Sequence, residues 1–314
     1  MTEAEQRTSR LSVGERIADL GFAVGWSVSQ HIPERLATFA AHRGARRLWK
    51  RQGPGVRQLR ANLARVLGPV TADQLDAVTE DALDRYLRYW QEAFALPTWS
   101  PERATGTFNV VEGLDRLDAA MSQGKGAVLA LPHMGNWDHA GAWATARYGG
   151  LSTVAERLKP ESLYDRFVEY RESLGMEVLP LGAPDVLRQL ARRLNEGRLV
   201  CLLADRDLQH RGAPVTFFGE AASMPTGPAV LATLTGAPLF PVSTWHVEGA
   251  THACVYEAIE VPGTSVDTNS RGDDVPLMTQ ELATVFENAI SAHPADWHMM
   301  QRLWHADLDR RNSL

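Results

Sequence analysis

Short apolar runs alternate with amphipathic segments along most of this chain. After residue 70 the spacing of apolar positions predicts a helix to about residue 95, followed by alternating strands and helices. The predicted strands cover 127–131, 151–158, 176–181, 199–204, 239–247 and 253–261. The predicted helices cover 137–148, 161–174, 185–196, 225–235 and 277–292. This alternation predicts an α/β fold, with a central mostly parallel β-sheet flanked by helices on both faces and with N-terminal amphipathic helices.

The length and composition of the chain favour one main core. It has 314 residues, of which 44% are hydrophobic, and shows no internal repeat or low-complexity tract. We therefore expect a single domain over 1–314, composed of a basic amphipathic helical segment, 1–70, and an α/β body, 71–314. The only linker-like stretch is the polar segment 262–274.

Charge is distributed unevenly between these two parts. Residues 1–70 contain twelve Arg or Lys against five Asp or Glu, although the whole chain carries a net charge of −6. Apolar residues at helical spacing in 17–28, followed by the arginine-rich segment 43–51, suit a helix lying on an anionic membrane surface. A helix packed on the body, with its arginines merely solvated, is an equal alternative. Nucleic acid is the poorest partner because the body is acidic.

The stretch LALPHMGNWDHAG, residues 129–141, places His133 and Asp138 five positions apart after an apolar run. An imidazole can take a proton from an alcohol at neutral pH, and a carboxylate on its second ring nitrogen fixes the tautomer. Five residues turn roughly 140° around a helix, so the two side chains can meet only at a bend. Because Pro132 ends the strand and Gly135 allows a tight turn, we predict that His133 is a general base and Asp138 its orienter, at the carboxyl edge of the sheet.

Charged residues follow two further predicted strands. Glu156 and Arg157 come after the apolar residues of 151–155, and Asp205, Arg206 and Asp207 come after 199–204. We expect them to line the same crevice as the histidine, because carboxyl ends of parallel strands converge at one edge. An ion-pair network that merely closes the top of the sheet is the alternative.

Two segments near the C-terminus carry weaker signals. Residues 224–228, MPTGP, predict a helix start whose exposed amides can hold an oxyanion or a phosphate, although a plain turn explains them too. Residues 294–300, PADWHMM, are rich in aromatic and sulfur side chains, which suits either the wall of an apolar groove or a buried C-terminal helix.

Several classes of protein are disfavoured. Cys201 and Cys254 have neither metal-ligand spacing nor a disulfide framework, which favours core packing in a reducing compartment. The first residues lack a secretion signal, and prolines interrupt the longest uncharged stretch, 221–245, so we expect a cytoplasmic protein without a membrane span. A metal-dependent hydrolase would need a histidine where Asn136 stands, and an α/β-hydrolase would need a Gly-x-Ser-x-Gly elbow, which is absent.

In combination, these segments resemble the His-x4-Asp glycerolipid acyltransferase superfamily. Within it, the chain is similar to the branch of bacterial lipid A late acyltransferases and, more closely, of actinobacterial phosphatidylinositol mannoside acyltransferases. The segments that carry the resemblance are LALPHMGNWDHAG, TVAERLKPESLYDRFVEYRESLG, the strand before Asp205-Arg206-Asp207, FFGE with MPTGPA, and PADWHM. The count of 29 arginines against three lysines also fits a GC-rich actinobacterium.

The resemblance implies an enzyme peripheral to the cytoplasmic face of the plasma membrane. Such enzymes move a long acyl chain, typically palmitoyl, from acyl-CoA to a mannose hydroxyl of phosphatidylinositol mannoside. It implies His133 as the base, Asp138 as its orienter, and Asp205 and Glu156 as further catalytic residues. The branch usually has glutamate at position 205 and often serine at 134, whereas this chain has Asp205 and Met134.

The resemblance also gives expectations about ligands. The acceptor hydroxyl would attack the thioester directly, so we expect no acyl-enzyme, no metal and no cofactor besides acyl-CoA as co-substrate. Backbone amides or an arginine such as Arg206 would hold the oxyanion. We expect substrate contacts from Arg206, Arg157, Asn136, Met224, Thr226, Gly227 and His298. Two alternatives stay open: another glycolipid or a lysophospholipid as acceptor, and a lipid-binding protein without enzymatic activity.

Overall fold

A computed structural model describes residues 32–157, 161–260 and 271–309, without the side chains of 271–273 and 309. Its α-helices are α1 (Glu34–Arg51), α2 (Pro54–Leu67), α3 (Ala72–Ala95), α4 (Pro101–Gly106), α5 (Leu114–Ser122), α6 (Trp137–Tyr148), α7 (Glu161–Ser173), α8 (Val186–Asn195), α9 (Gly227–Thr235), α10 (Arg271–Ala292) and α11 (His305–Asp309). Single 3-10 turns lie at Leu96–Thr98 and Pro294–Asp296. The strands are β1 (Phe108–Glu112), β2 (Ala127–Leu131), β3 (Leu151–Ala155), β4 (Met176–Pro180), β5 (Leu199–Leu203), β6 (Ala213–Phe217), β7 (Glu220–Met224), β8 (Leu239–Val247) and β9 (Ala250–Val255).

Seven strands form the central sheet, in the order β1-β9-β8-β2-β5-β3-β4. All neighbouring pairs are parallel except β8 and β9, which are antiparallel. All five residues of the central strand β2 are buried, as expected for a parallel strand with both faces covered. The fold class predicted from the sequence, a mostly parallel sheet flanked by helices, is confirmed.

Helices α1 and α2 pack on the long helix α3. The inner face of α1 contains the buried Ala45, and Gly44 lies so close to α3 that a Cβ atom there would come within 2.8 Å of Leu87. Leu36 and Phe39, by contrast, are 59% and 57% exposed on the outer face. The amphipathic helix predicted over 17–28 lies outside the described residues, and the predicted boundary at residue 70 stays a prediction.

Most predicted elements are confirmed to within two or three residues, and the differences have local causes. Strand β9 was predicted over 253–261 but covers 250–255. It begins three residues earlier because it pairs with β8 through a tight turn at Gly249, and it ends six residues earlier than predicted. Residues 271–274, taken as part of a linker, belong to α10 instead, where Pro276 is tolerated near the start of the helix. The sequence patterns missed strand β1 and the β6–β7 hairpin, whose five-residue strands leave little periodicity to detect.

Candidate active site

The site is built where β2 and β5 end side by side. Their register pairs Leu131 with Leu203, and the amide of Ala204 donates to the Leu131 carbonyl at 2.8 Å. His133 and Asp205 each stand two residues beyond these paired ends. Because parallel strands in register deliver equivalent positions to one edge, the two side chains are neighbours.

His133 and Asp205 form a hydrogen-bonded pair. Nδ1 of the imidazole lies 2.5 Å from Asp205 Oδ1, and Asp205 Oδ2 accepts from the His133 amide and from Trp297 Nε1, each at 2.9 Å. Burial alone would raise the pKa of Asp205, but the charge of His133 and these hydrogen bonds hold that pKa below its usual value. The ionised carboxylate therefore accepts the Nδ1 hydrogen, which leaves the lone pair on Nε2 for a proton.

The predicted contact between Asp138 and His133 is wrong. Asp138 is 2% exposed, and its carboxylate accepts from Tyr89 Oη at 2.8 Å and from Arg171 Nε at 2.8 Å. As expected, Asp138 lies in the first turn of a helix, α6. That turn directs its side chain towards α3 and α7, away from the imidazole, so the orienting carboxylate of His133 is Asp205.

Asp138 instead fixes the position of α6. Burial raises the pKa of Tyr89, and the nearby Asp138 charge raises that pKa further. The phenol therefore stays protonated and donates a hydrogen bond to the carboxylate. Burial would lower the pKa of Arg171, but Asp138 raises it, so the guanidinium stays charged. The network therefore joins α3, α6 and α7 beneath the site, and removing one partner would leave an uncompensated buried charge.

The loop after β2, which carries His133, is hydrogen-bonded to Asp296 and to Thr244 on β8. The amide of Gly135 donates to the Asp296 carbonyl at 2.9 Å, and Thr244 Oγ1 donates to the Met134 carbonyl at 2.6 Å. Gly135 has φ 58°, and a Cβ atom at this position would lie 2.4 Å from the Thr244 carbonyl oxygen. Only glycine fits both the backbone angle and the close approach.

A buried ion-pair network supports this loop from behind. His246 on β8 places Nδ1 2.9 Å from Asp296 Oδ1 and Nε2 3.3 Å from Glu92 Oε2. Glu92 also accepts from Asn136 Nδ2 at 2.9 Å, and Arg85 donates to Asp296 at 2.7 Å. Asn136 also caps α6 through its side-chain oxygen, 2.9 Å from the amide of residue 139. Because Asn136 is fully buried and does not line the groove, it is not placed to contact substrate, contrary to expectation.

An open groove of about 590 Å³ passes the imidazole. Four of the residues predicted to act on substrate line it together with His133: Glu156, Arg206, Thr226 and Gly227. His298 lines it as well; burial, followed by the charge of His246, lowers the pKa of His298 to about 3, so its ring is neutral.

Two other predicted contacts are placed elsewhere. Met224 is fully buried in the core at the end of β7 and does not line the groove. Arg157 is exposed at the surface, 3.9 Å from Glu161, and is not part of the groove wall. Both errors arise because these contacts were predicted from position along the chain. Position alone does not show whether a side chain faces the core, the solvent or the groove.

A second, narrow cavity of about 70 Å³ runs beneath α6 and is mostly apolar. It shares part of its wall with the groove at Trp137, Val154 and Leu203, and it continues along the sheet to Val255 on β9. The Trp137 ring centroid is 5.5 Å from that of His133, so the mouth of the cavity lies beside the imidazole. The sequence patterns did not identify this cavity, because its wall consists of ordinary core residue types.

The cysteines do not supply a nucleophile. Burial raises the pKa of Cys201 to about 12 and also raises that of Cys254, so neither is a thiolate at neutral pH. The described part of the chain contains no cluster of three side chains suited to a metal ion. None of the described helices combines the length and the apolar character needed to cross a bilayer.

Comparison with known proteins agrees with this architecture. The chain belongs to the bacterial lipid A biosynthesis acyltransferase family, whose model matches residues 4–306. It is 48% identical over 303 residues to a phosphatidylinositol mannoside acyltransferase of Mycolicibacterium smegmatis, with 96% of each chain covered. It is 47% identical over 302 residues to a Mycobacterium tuberculosis protein of the same name, covering 95% of this chain and 92% of the relative. The resemblance inferred from motifs is confirmed, and the chain is an acyltransferase.

The network around His246 predicts a pH-dependent stability. Burial alone would lower the pKa of His246, but Asp296 and Glu92 raise it above its usual value. The resulting stabilisation is complete below the unfolded pKa, near 6.5, and is lost as pH rises through the folded pKa. The pKa of Glu92 is lowered to about 2 and that of Asp296 is also lowered. The contributions of these two carboxylates to stability are therefore lost only at acidic pH. His139, His293 and His298, whose pKa values are lowered, are neutral in both the folded and the unfolded chain above about pH 7.5. Between about pH 7.5 and 9, the unfolding temperature should therefore fall, as measured by calorimetry.

The control is His246→Gln, which should have a lower unfolding temperature that varies less over the same pH range. Glu92→Gln should weaken the dependence as well, because it removes one of the two carboxylates that raise the pKa. An equal slope in wild type and both variants would show that other groups cause it.

Proposed function

We propose that this acyltransferase moves a long-chain acyl group, with palmitoyl the expected chain, from acyl-CoA to a mannose hydroxyl of phosphatidylinositol mannoside. The observation that carries the proposal is the pair of His133 and Asp205, which lies between an open groove with both polar and apolar walls and a narrow apolar cavity. Both relatives described above bear the name of this activity, which supports the choice of acceptor.

In the proposed reaction, His133 Nε2 takes the proton of the acceptor hydroxyl as its oxygen attacks the thioester carbonyl. Asp205 stabilises the resulting imidazolium through Nδ1. The tetrahedral intermediate then collapses with cleavage of the C–S bond, and the imidazolium returns the proton to the departing thiolate of CoA. The substrates supply both nucleophile and leaving group, so no protein side chain is acylated.

Two sets of donors are available for the oxyanion. Arg206 lines the groove and makes no ion pair with any described carboxylate. The amides at the start of α9, beside Thr226 and Gly227, line the same groove and add the positive end of a helix dipole. Glu156, at the groove wall, is suited to accept hydrogen bonds from sugar hydroxyls.

We assign the acyl chain to the cavity beneath α6. Most of its wall is formed by aliphatic, aromatic and sulfur side chains, which bind methylene groups. The two charged residues of the wall, Asp138 and Arg171, pair with each other. From β5 to β9 it crosses three strand spacings, roughly 14 Å. A thioester at His133 would therefore place its carbonyl at the mouth and its alkyl chain along the sheet.

Filling the distal end of this cavity should shorten the preferred chain. Leu117→Trp and Val255→Phe add bulk at the end furthest from the groove. Each excluded methylene forfeits about 0.8 kcal/mol, so the ratio of kcat/KM for hexadecanoyl-CoA over decanoyl-CoA should fall about tenfold or more. Val178→Phe, which overpacks a buried valine of β4 outside the cavity, is the matched control. A ratio that stays at the wild-type value in both folded cavity variants would place the chain elsewhere.

The reaction itself is tested with purified protein, palmitoyl-CoA and a panel of acceptors: phosphatidylinositol mannoside, lysophosphatidic acid and a lipid A precursor. Transfer should be fastest to the mannoside. His133→Ala should reduce kcat by about 100-fold or more, as expected for loss of a general base.

Variants of two carboxylates distinguish the residue that orients His133 from the residue that stabilises the fold. Asp205→Asn should also reduce kcat strongly, since the imidazole loses the acceptor that fixes its tautomer. Asp138→Asn should mainly lower the unfolding temperature, because its partners are Tyr89 and Arg171. Faster transfer to lysophosphatidic acid or to the lipid A precursor would show that the acceptor is that lipid and not the mannoside. Lipid binding by the wild type without any acyl transfer would contradict the proposal.

We also propose that α1 docks on an anionic membrane surface, at the cytoplasmic face. Leu36, Phe39, Arg43, Arg46 and Lys50 recur at helical spacing on its outer face, and all are exposed. Apolar side chains in the first half and cations in the second half suit insertion at the acyl boundary and attraction to lipid phosphates, respectively.

Membrane binding through α1 should depend on salt. Protein bound to vesicles that contain anionic lipid should be released as NaCl rises from about 0.05 to 0.5 M, because ions screen the attraction. Sedimentation with the vesicles measures the bound fraction. Arg43→Gln with Arg46→Gln should weaken binding, whereas Arg192→Gln on the exposed face of α8 should not. Binding unaffected by both salt and the α1 variants would assign attachment to apolar insertion or to another surface.

A further inference from the structure

A polar cavity of about 470 Å³ adjoins the groove at the end away from the cavity beneath α6. It shares Arg206 with the groove and adds His210, Arg302 and His305 to its wall. We call this space, with those four side chains, the arginine chamber. The mechanism above uses only Arg206 among them.

The two arginines of this chamber are not bonded by a carboxylate. Arg206 and Arg302 form no ion pair with a described residue, whereas Arg65, for example, bonds both Glu220 and Asp307. The chamber therefore has two guanidinium groups on its wall whose donors no described carboxylate occupies.

The chamber wall also contains two carboxylates, which balance the two arginines in formal charge but bond neither of them. Asp207 is occupied by its own loop: it accepts from the amides of Gln209 at 3.2 Å, Arg211 at 3.3 Å and Gly212 at 2.7 Å. Glu156 lies on the wall common to chamber and groove, without a described ion pair.

The backbone around the chamber is held in place. The three bonds to Asp207 fix the loop that carries His210. On the opposite wall, Asn62 Nδ2 donates to the carbonyls of Met299 at 2.8 Å and Gln301 at 2.9 Å, directly before Arg302. A site whose walls are fixed before binding loses less entropy when it takes up a charged ligand.

We propose that the arginine chamber binds a phosphate group of one of the two substrates while the reacting atoms lie at His133. Guanidinium groups match phosphate oxygens in charge and geometry, and the apolar cavity offers no alternative place for a phosphate. This inference rests on the proposed function, in which both substrates carry phosphates remote from the reacting atoms. These are the nucleotide phosphates of acyl-CoA and the phosphodiester of the acceptor.

Binding of small phosphates tests the chamber without turnover. The probes are adenosine 3′,5′-bisphosphate, which represents the donor, and glycerophosphoinositol, which represents the acceptor; calorimetry measures their Kd. Arg302→Gln should weaken binding of one probe by about tenfold or more, the scale of one charged hydrogen bond. Arg192→Gln, an equal loss of charge on α8 beside Glu196 and outside the chamber, should leave that Kd at the wild-type value.

Kinetics then identify the source of the phosphate. If the chamber binds the donor, Arg302→Gln raises KM for palmitoyl-CoA but not for the palmitoyl thioester of N-acetylcysteamine. If it binds the acceptor, the same variant raises KM for phosphatidylinositol mannoside but not for a simple alkyl mannoside. Failure of both probes to bind the wild type, or equal binding by wild type and Arg302→Gln, overturns the proposal. Absence of acyl transfer by a wild type that still shows the Arg302-dependent binding would refute the proposed function and leave the chamber standing.

Discussion

The pairing of His133 with Asp205 depends on β2 and β5 lying next to each other in register. Neither side chain belongs to a strand, yet the strands fix the distance between them because each residue follows its strand end by the same two positions. A shift of one residue in that register would move one of the two side chains out of line with the other. The surrounding buried strands resist such a shift and thus maintain the geometry of the candidate site.

Three buried carboxylates serve three different purposes around this edge. Asp205 orients the His133 imidazole, Asp138 holds α6 through Tyr89 and Arg171, and Asp296 joins His246 to the loop that carries His133. Each is compensated by its own donors, since an uncompensated buried charge would be strongly destabilising. The separation lets the imidazole change charge during a reaction without disturbing the carboxylates that maintain the fold.

The sequence predicted the local elements well and the long-range pairs poorly. Strand 127–131 and helix 137–148 were predicted with their observed limits, because Pro132 and Gly135 mark the boundary chemically. The edge of the sheet that carries the candidate site was also predicted, because the carboxyl ends of the parallel strands converge there. The partner of His133 was not, because the order of strands in the sheet decides which ends are neighbours, and β2 and β5 are separated in sequence by two other strands. Nearness in sequence favoured Asp138, which the first turn of α6 directs elsewhere. The acyl cavity and the arginine chamber depend on tertiary packing and have no local pattern.

The attachment of the His133 loop to residues 296–298 has a consequence for biosynthesis. The Gly135 amide bonds the Asp296 carbonyl, the His298 amide bonds the His133 carbonyl at 2.8 Å, and Trp297 bonds Asp205. These contacts close loops of more than 90 residues, so they form late and only after residues 296–298 have left the ribosome. A nascent or truncated chain can complete β2 and β5 and still lack an aligned base. The orientation of His133, on which the proposed reaction depends, is therefore completed only when the segment 296–298 docks.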